Sequence, residues 1–380
     1  MNNKRVLISG ASIAGPALAY WLNHYGFEVT IVEQADSLRL GGYKIDIRGK
    51  AVEVMKKMAL YQEACRFKVV QLSGSVLNEQ GELIDQIPAE LMGMHVGDDI
   101  ELLRGELSRI LYHATNKQCQ YLFSTSIKAL EQHAQGMKVE FNNGPEQDFD
   151  LLVGADGIHS NVRHLVFGNE AQFSHNLGDY YAAICSIETD LNLNRHEFFY
   201  SQIDKLLNLY CTPGAAAKAL FVFRAPNLTF KHRDLEQQKA IVSRIYADAA
   251  WEVPHLVKSM QQSSEFYFDE VKQIRMPQWY KERTILIGDA AFSPCLASGQ
   301  GTSLALVAAY VLAKELAQAK GDYASAFPQY EKEMRSFVDL NQKLGETIIE
   351  FMVPKAVVEP WLGESMLDMI RSASQGIELK

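Results

Sequence analysis

The chain opens on an aliphatic run over 6–8 (VLI), which predicts a short strand buried on both faces. Helical spacing takes over from about 14 to 25, where Ala, Leu and Trp fill one face and Gly26 ends the run. The stretch 28–33 (EVTIVE) then predicts a second strand, completing a βαβ unit. A similar strand-to-helix switch recurs twice. A strand over 151–153 runs into Gly154-Ala155-Asp156-Gly157 and a helix near Ser160. A strand over 284–287 ends in Gly288-Asp289, followed by a Pro- and Gly-rich loop and a strongly apolar helix from about Thr302.

Between 178 and 268 the pattern changes to short strands separated by loops, at 180–187, 206–211, 219–224 and 265–271. A helix is expected over 105–114, and a surface helix, charged on one face, over 231–248. The C-terminus reads as helical over 330–352, with Pro354 and Pro360 breaking it, and a last amphipathic helix over 361–373.

A length of 380 residues exceeds one compact core and predicts two domains, or one with a large insertion. The formal net charge of −9 and the lack of a basic run argue against nucleic acid and anionic membrane as partners. Cys65, Cys119, Cys185, Cys211 and Cys295 form no CxxC pair, which fits reduced thiols and a cytoplasmic location. No apolar run reaches the roughly 18 residues that span a bilayer. Lys4, Arg5 and the small apolar residues after them superficially resemble a leader peptide. Ser9, Gly10, Ser12, Gly15 and Pro16 break that pattern, and a strand–turn–helix explains it better.

The first turn has the spacing G-x-S-x-x-G at Gly10, Ser12 and Gly15. Gly10 makes the tight turn, Ser12 stands where backbone approaches a pyrophosphate, and Gly15 lets the helix pack on the strand. The Ser12 side chain is small, and its hydroxyl can donate to phosphate. Glu33, 23 residues after Gly10, can accept from ribose hydroxyls and would repel a 2′-phosphate. The set predicts a dinucleotide other than NADP as the tightly held ligand. Arg104 opens its helix, where the helix dipole disfavours a cation. Either Asp98, Asp99 and Glu101 offset it, or a ligand phosphate does.

In this order and at these separations, the three turns resemble the FAD-dependent class A monooxygenases, the para-hydroxybenzoate hydroxylase family, over 1–340. The resemblance implies an α/β fold: a Rossmann-like FAD-binding domain (1–72, 100–175 and 272–330), a β-sheet substrate domain (73–99 and 176–271) and C-terminal helices bridging them (331–380). It implies FAD on Gly10, Ser12, Ala14, Gly15, Glu33, Gln34, Arg48, Arg104, Asp156, Asp289, Pro294, Gly299 and Gly301, with Arg163 sharing the Asp156 motif tied to FAD and to transient NADPH contact. Backbone N–H groups at Gly299-Gln300-Gly301 would face the flavin ring from a helix N-terminus.

The stretches AGPALAYWLNHYGFEVTIVEQ, GGYKIDIRG, VGADGIHSNVRHLVF and LIGDAAFSPCLASGQGTSLA are similar to the tetracycline destructases. That resemblance implies a monomer in which NADPH reduces FAD and O2 then forms a C4a-hydroperoxyflavin that hydroxylates a tetracycline-like small molecule. Catalysis would rest on the flavin, with no protein nucleophile and no metal. Arg48, Tyr181, Leu207, Tyr210, Phe221, Phe223 and Pro294 are the candidate substrate contacts, with a structural ion pair (Arg48) and sheet core (the strand residues) as the competing roles. The last helix would lie near the substrate entrance. The alternatives are a hydroxylase of another phenol or polyketide, and a flavoprotein that sequesters a ligand without turnover.

Overall fold

A computed structural model describes residues 3–39, 41–212, 216–356 and 364–379 of the chain. Its first half is built on a six-stranded sheet in the order Tyr280–Lys281, Thr284–Leu286, Leu151–Gly154, Arg5–Ser9, Glu28–Val32, Gln120–Leu122. All neighbours are parallel except the edge strand Tyr280–Lys281. The central strands are apolar throughout because both faces are covered, and Leu151, Leu152 and Val153 are fully buried.

The helices Ala14–His24 and Gly301–Gln318 cover this sheet together. The second is apolar on every side because it is buried on every side through Leu316. Its late charges are paired internally, with Lys314 Nζ 3.1 Å from Glu315 and 3.1 Å from Glu333. A three-stranded antiparallel sheet (Ile127–His133, Gly136–Phe141, Gln147–Phe149) leads into the strand Leu151–Gly154; the hydrophobic pattern had not revealed it.

The other half is a seven-stranded sheet in the order Phe266–Ile274, Ser174–Ile187, Ala217–Arg224, Lys205–Tyr210, His196–Gln202, Ser73–Leu77, Leu83–Pro88. Its neighbours are antiparallel apart from His196–Gln202 beside Ser73–Leu77. One face is covered by two helices, Leu235–Ile245 and Val253–Gln262, where one helix was expected. The other face meets the loop 295–297 and the C-terminal helices.

Ile100–Leu103 pairs with Lys44–Ile47 in a separate antiparallel ribbon. Period-two alternation explains its position. Ile45, Ile47, Ile100 and Leu102 enter the parallel-sheet core, while Lys44 and Glu101 turn towards the seven-stranded sheet, where they join Glu197.

The helix Tyr323–Met352 is longer than its apolar stripe predicted, and Glu364–Gln375 follows. Met366, Ile370 and Ala373 of the last helix pack with Leu344, Ile348 and Ile349, in one cluster with Tyr180, Leu206 and Val222 of the sheet. Asn341 Nδ2 donates to the Ala373 carbonyl at 3.1 Å. The expected start of this helix at Trp361 lies outside the described residues.

Candidate active site

The glycine turn is set by steric fit. Gly10 has φ +111°, and a Cβ there would lie 2.3 Å from the Ala155 carbonyl oxygen. At Gly15 a Cβ would lie 2.0 Å from the Gly10 carbonyl oxygen, so only glycine lets the helix start this close to the strand. The helix N-terminus at Ile13 has no side-chain cap and no acid in its first turn, so its N–H groups remain for a ligand. Ala14 turns its methyl towards Gly288, where a Cβ would lie 3.3 Å away.

Around this turn the structure brings together Ser12, Arg104, Asp289 and Gly301. Arg104 Nη2 donates to Ser12 Oγ at 2.7 Å. The acids proposed to offset Arg104 are engaged elsewhere. Asp98 pairs with Lys56, Asp99 accepts from the N–H groups of Gly49 and Val96, and Glu101 pairs with Lys44. Among the described residues no carboxylate forms an ion pair with Arg104. Asp289 feels its charge: the carboxyl is raised by surrounding protein and drawn back down by Arg104. The Asp289 side chain stays accessible and faces Gly301, where a Cβ would lie 3.7 Å from Oδ1.

Glu33 is held by the turns it follows, accepting from Ala11 N–H and Ala35 N–H at 3.0 Å each. Gln34 is exposed. Asp156 serves its own turn. It accepts from Val162 N–H at 3.0 Å, from Ser9 Oγ at 3.3 Å and from Ser160 Oγ, and burial raises its carboxyl. Arg163 is fully buried and donates to the carbonyls of Ala290 (2.8 Å) and Ile158 (2.5 Å) and to Glu170 (3.1 Å). Its guanidinium is therefore not offered to a ligand.

The second uncapped N-terminus belongs to Gly301–Gln318. Gln300 before it is fully buried, and its side-chain amide lacks a partner among the described residues. Gly299 approaches the ribbon, where a Cβ would lie 3.3 Å from Asp46 Oδ2 and 4.0 Å from Arg48 Nε. Arg48 is 4% exposed and pairs with Asp46 at 3.0 Å, while donating to the carbonyls of Met94 (2.7 Å) and Gly93 (2.6 Å). The structural ion pair is thus the role seen here. Pro294 is buried and turns its carbonyl to Gln273 Nε2 (3.2 Å). Leu296, unremarked in the sequence, is the exposed apolar residue of this loop.

The substrate candidates divide by strand parity. Tyr181, Leu207, Phe221 and Phe223 lie on the helix-covered face, packed with Ile241, Val242 and Tyr246. The sheet-core role is thus the one seen for these four. Tyr181 stacks on Phe223 at 5.8 Å and donates to the Leu228 carbonyl. The opposite face, which meets the loop 295–297, carries Tyr180, Ala182, Leu206 and Val222. Tyr210 does face the ribbon, with Lys44 Nζ 4.4 Å from its ring centroid.

Sequence reasoning missed the charged group beside Tyr210. Lys44 lies between Glu101 (3.2 Å) and Glu197, and Asn208 Nδ2 donates to Glu197 at 3.1 Å. Burial lifts Glu101 to about 7, with Lys44 opposing the shift. Asp46 also accepts from His95 (3.0 Å). The signal was present in KIDI and IELL, whose polar alternate positions leave charges on one ribbon face.

These features fit FAD. Two uncapped helix N-termini, an arginine without a carboxylate partner and an accessible carboxylate surround one turn, as a pyrophosphate and polyhydroxyl chain require. The FAD binding domain family matches residues 3–341. A flavin-dependent monooxygenase of Legionella longbeachae serogroup 1 (strain NSW150) is 36% identical over 99% of this chain and 98% of its own. The crystal structure of tetracycline destructase Tet(55) superposes with a TM-score of 0.91 at 35% identity, covering all of both chains. That of tetracycline destructase Tet(51) does so with 0.89 at 33%, again over all of both chains. The chain belongs to the FAD binding domain family and is an FAD-dependent monooxygenase.

Proposed function

We propose that this monooxygenase inactivates tetracycline-type antibiotics by hydroxylation, with NADPH as electron donor. The observation that carries this reading is the match over the whole chain to two tetracycline destructases. In the balanced reaction NADPH, a proton, O2 and the substrate give NADP, water and a product with one added oxygen. FAD, when bound, supplies the redox chemistry that activates O2.

The chain's own residues position and shield. Arg104 and Ser12 would hold the pyrophosphate, and Asp289 would accept from hydroxyls of the adjoining chain. The uncapped N-terminus of Gly301–Gln318 would offer partial positive charge to the flavin. Tyr210, beside Lys44 on the face of the sheet that meets the ribbon, is the substrate candidate on this side. The apolar cluster of Val222, Leu344 and Ile370 excludes water beside it. The enzyme acts as a monomer.

The test is NADPH consumption by FAD-loaded protein with and without tetracycline, with mass analysis of the product. Tetracycline-dependent consumption and a product heavier by one oxygen are expected. Consumption with tetracycline recovered intact would overturn the substrate assignment and leave the monooxygenase in place.

A further inference from the structure

Among the described residues, one group of imidazoles and carboxylates brings its ligand atoms within 4.8 Å of one another: His159, His232 and Asp269. They come from separate parts of the fold. His159 follows the strand Leu151–Gly154 of the parallel sheet, Asp269 lies on the strand Phe266–Ile274 of the seven-stranded sheet, and His232 is in the loop after Ala217–Arg224.

The surroundings are ordered. His159 Nε2 lies 2.7 Å from Asp269 Oδ2, and its Nδ1 lies 3.2 Å from Glu170 Oε2. Glu170 is fixed by Lys272 (2.8 Å) and Arg163 (3.1 Å). Asp269 is buried and held by the Tyr267 hydroxyl (2.9 Å) and by Glu270 N–H (2.9 Å). The His232 ring meets His159 edge-on at 5.5 Å and is exposed, as is His159.

We infer that His159, His232 and Asp269 form a binding site for one borderline divalent cation such as zinc, joining the turn after the Leu151–Gly154 strand to the seven-stranded sheet. Two imidazole nitrogens and a carboxylate oxygen suit such an ion, and exposure of both histidines leaves room for a water as fourth ligand. A carboxylate on the far nitrogen of a ligating histidine, here Glu170, is the usual orienting partner. The His232 ring is held beside this pair by an edge-on contact with Phe230 at 4.7 Å. The ion takes the place of the proton shared by His159 and Asp269, and that proton is released.

The test uses the full-length, untagged, FAD-loaded protein, stripped with chelator and titrated with Zn2+ by calorimetry, with thermal melts in parallel. One-to-one binding and a melting temperature that rises with Zn2+ are expected. His232→Ala, at an exposed position, should weaken binding at least tenfold with flavin content unchanged. Glu170→Gln should weaken it about tenfold through loss of orientation. Absence of one-to-one binding would overturn the site. So would undiminished binding to His232→Ala, which would mark adventitious ions on surface side chains.

Discussion

Arg104 is a half-buried cation whose sequence neighbours Asp98, Asp99 and Glu101 are committed elsewhere, and among the described residues its side chain donates to Ser12. A charge-assisted bond of this kind is worth about 1.5–3 kcal/mol. Arg104→Ala should therefore weaken FAD retention by roughly 10- to 100-fold. Flavin absorbance after gel filtration reads this, and unchanged occupancy would remove Arg104 from the pyrophosphate site. Ser12→Gly should keep the flavin, because the turn geometry at that position favours glycine at least as well.

Glu101 makes a pH prediction. Burial holds it near 7, above the ordinary glutamate value of 4.5. Between these values the folded state binds more proton than the unfolded state, so stability falls as pH rises through that window. Glu101→Gln keeps Glu197 as the partner of Lys44 and should flatten this slope. Urea midpoints measured from pH 4.5 to 8 would show it, and an unaltered profile would place the titration elsewhere.

At the scale of elements, the long helix Tyr323–Met352 sets the loop ahead of Gly301. A Cβ at Gly345 would lie 2.3 Å from the Pro294 carbonyl oxygen and 2.8 Å from Cys295 Sγ. Cys295 itself holds φ +72° and ψ 162°, a conformation ordinarily left to glycine that costs about 1–3 kcal/mol. Packing from the helix keeps it there. Gly345→Ala should cost about 1–3 kcal/mol of stability and loosen the flavin, because the loop must move away from the helix. Thermal melts with and without added FAD measure both effects, and a flavin affinity equal to the parent's would uncouple helix from loop.

For the whole molecule, the C-terminal helix Glu364–Gln375 closes the apolar cluster between the sheet and the helix Tyr323–Met352. Each large apolar side chain buried there is worth about 1.5–3 kcal/mol. Removal of residues 364–380 uncovers Leu344, Ile348 and Ile349 and should lower the melting temperature by several degrees. The glycine turn, built from other elements, should still retain flavin. Loss of both together would make the last helix part of the cofactor site. No helix among the described residues is long and apolar enough to cross a membrane.

Sequence by itself determined the parts governed by short-range sterics. Gly10 and Gly15 are dictated by contacts with backbone only a few ångströms away, so their spacing announced the turn. Uninterrupted apolar runs such as 151–153 announced strands covered on both faces. The ribbon Lys44–Ile47 with Ile100–Leu103 was not legible, because its strands are four residues each and pair across more than fifty positions of chain. Tertiary structure alone decided which face of the seven-stranded sheet meets the loop 295–297 and which meets the two helices. Alternation separates Tyr181, Phe221 and Phe223 from Tyr180 and Val222, but both sets are apolar because both faces are covered. It also decided the fate of the charges. Arg163 and Arg104 each follow a strand in a plausible motif, yet the Ala290 carbonyl, brought from 127 residues away, joins the local Ile158 carbonyl on the first, while the second donates to Ser12. A buried charge takes whatever partners the folded chain brings within reach, and local sequence does not encode that distance.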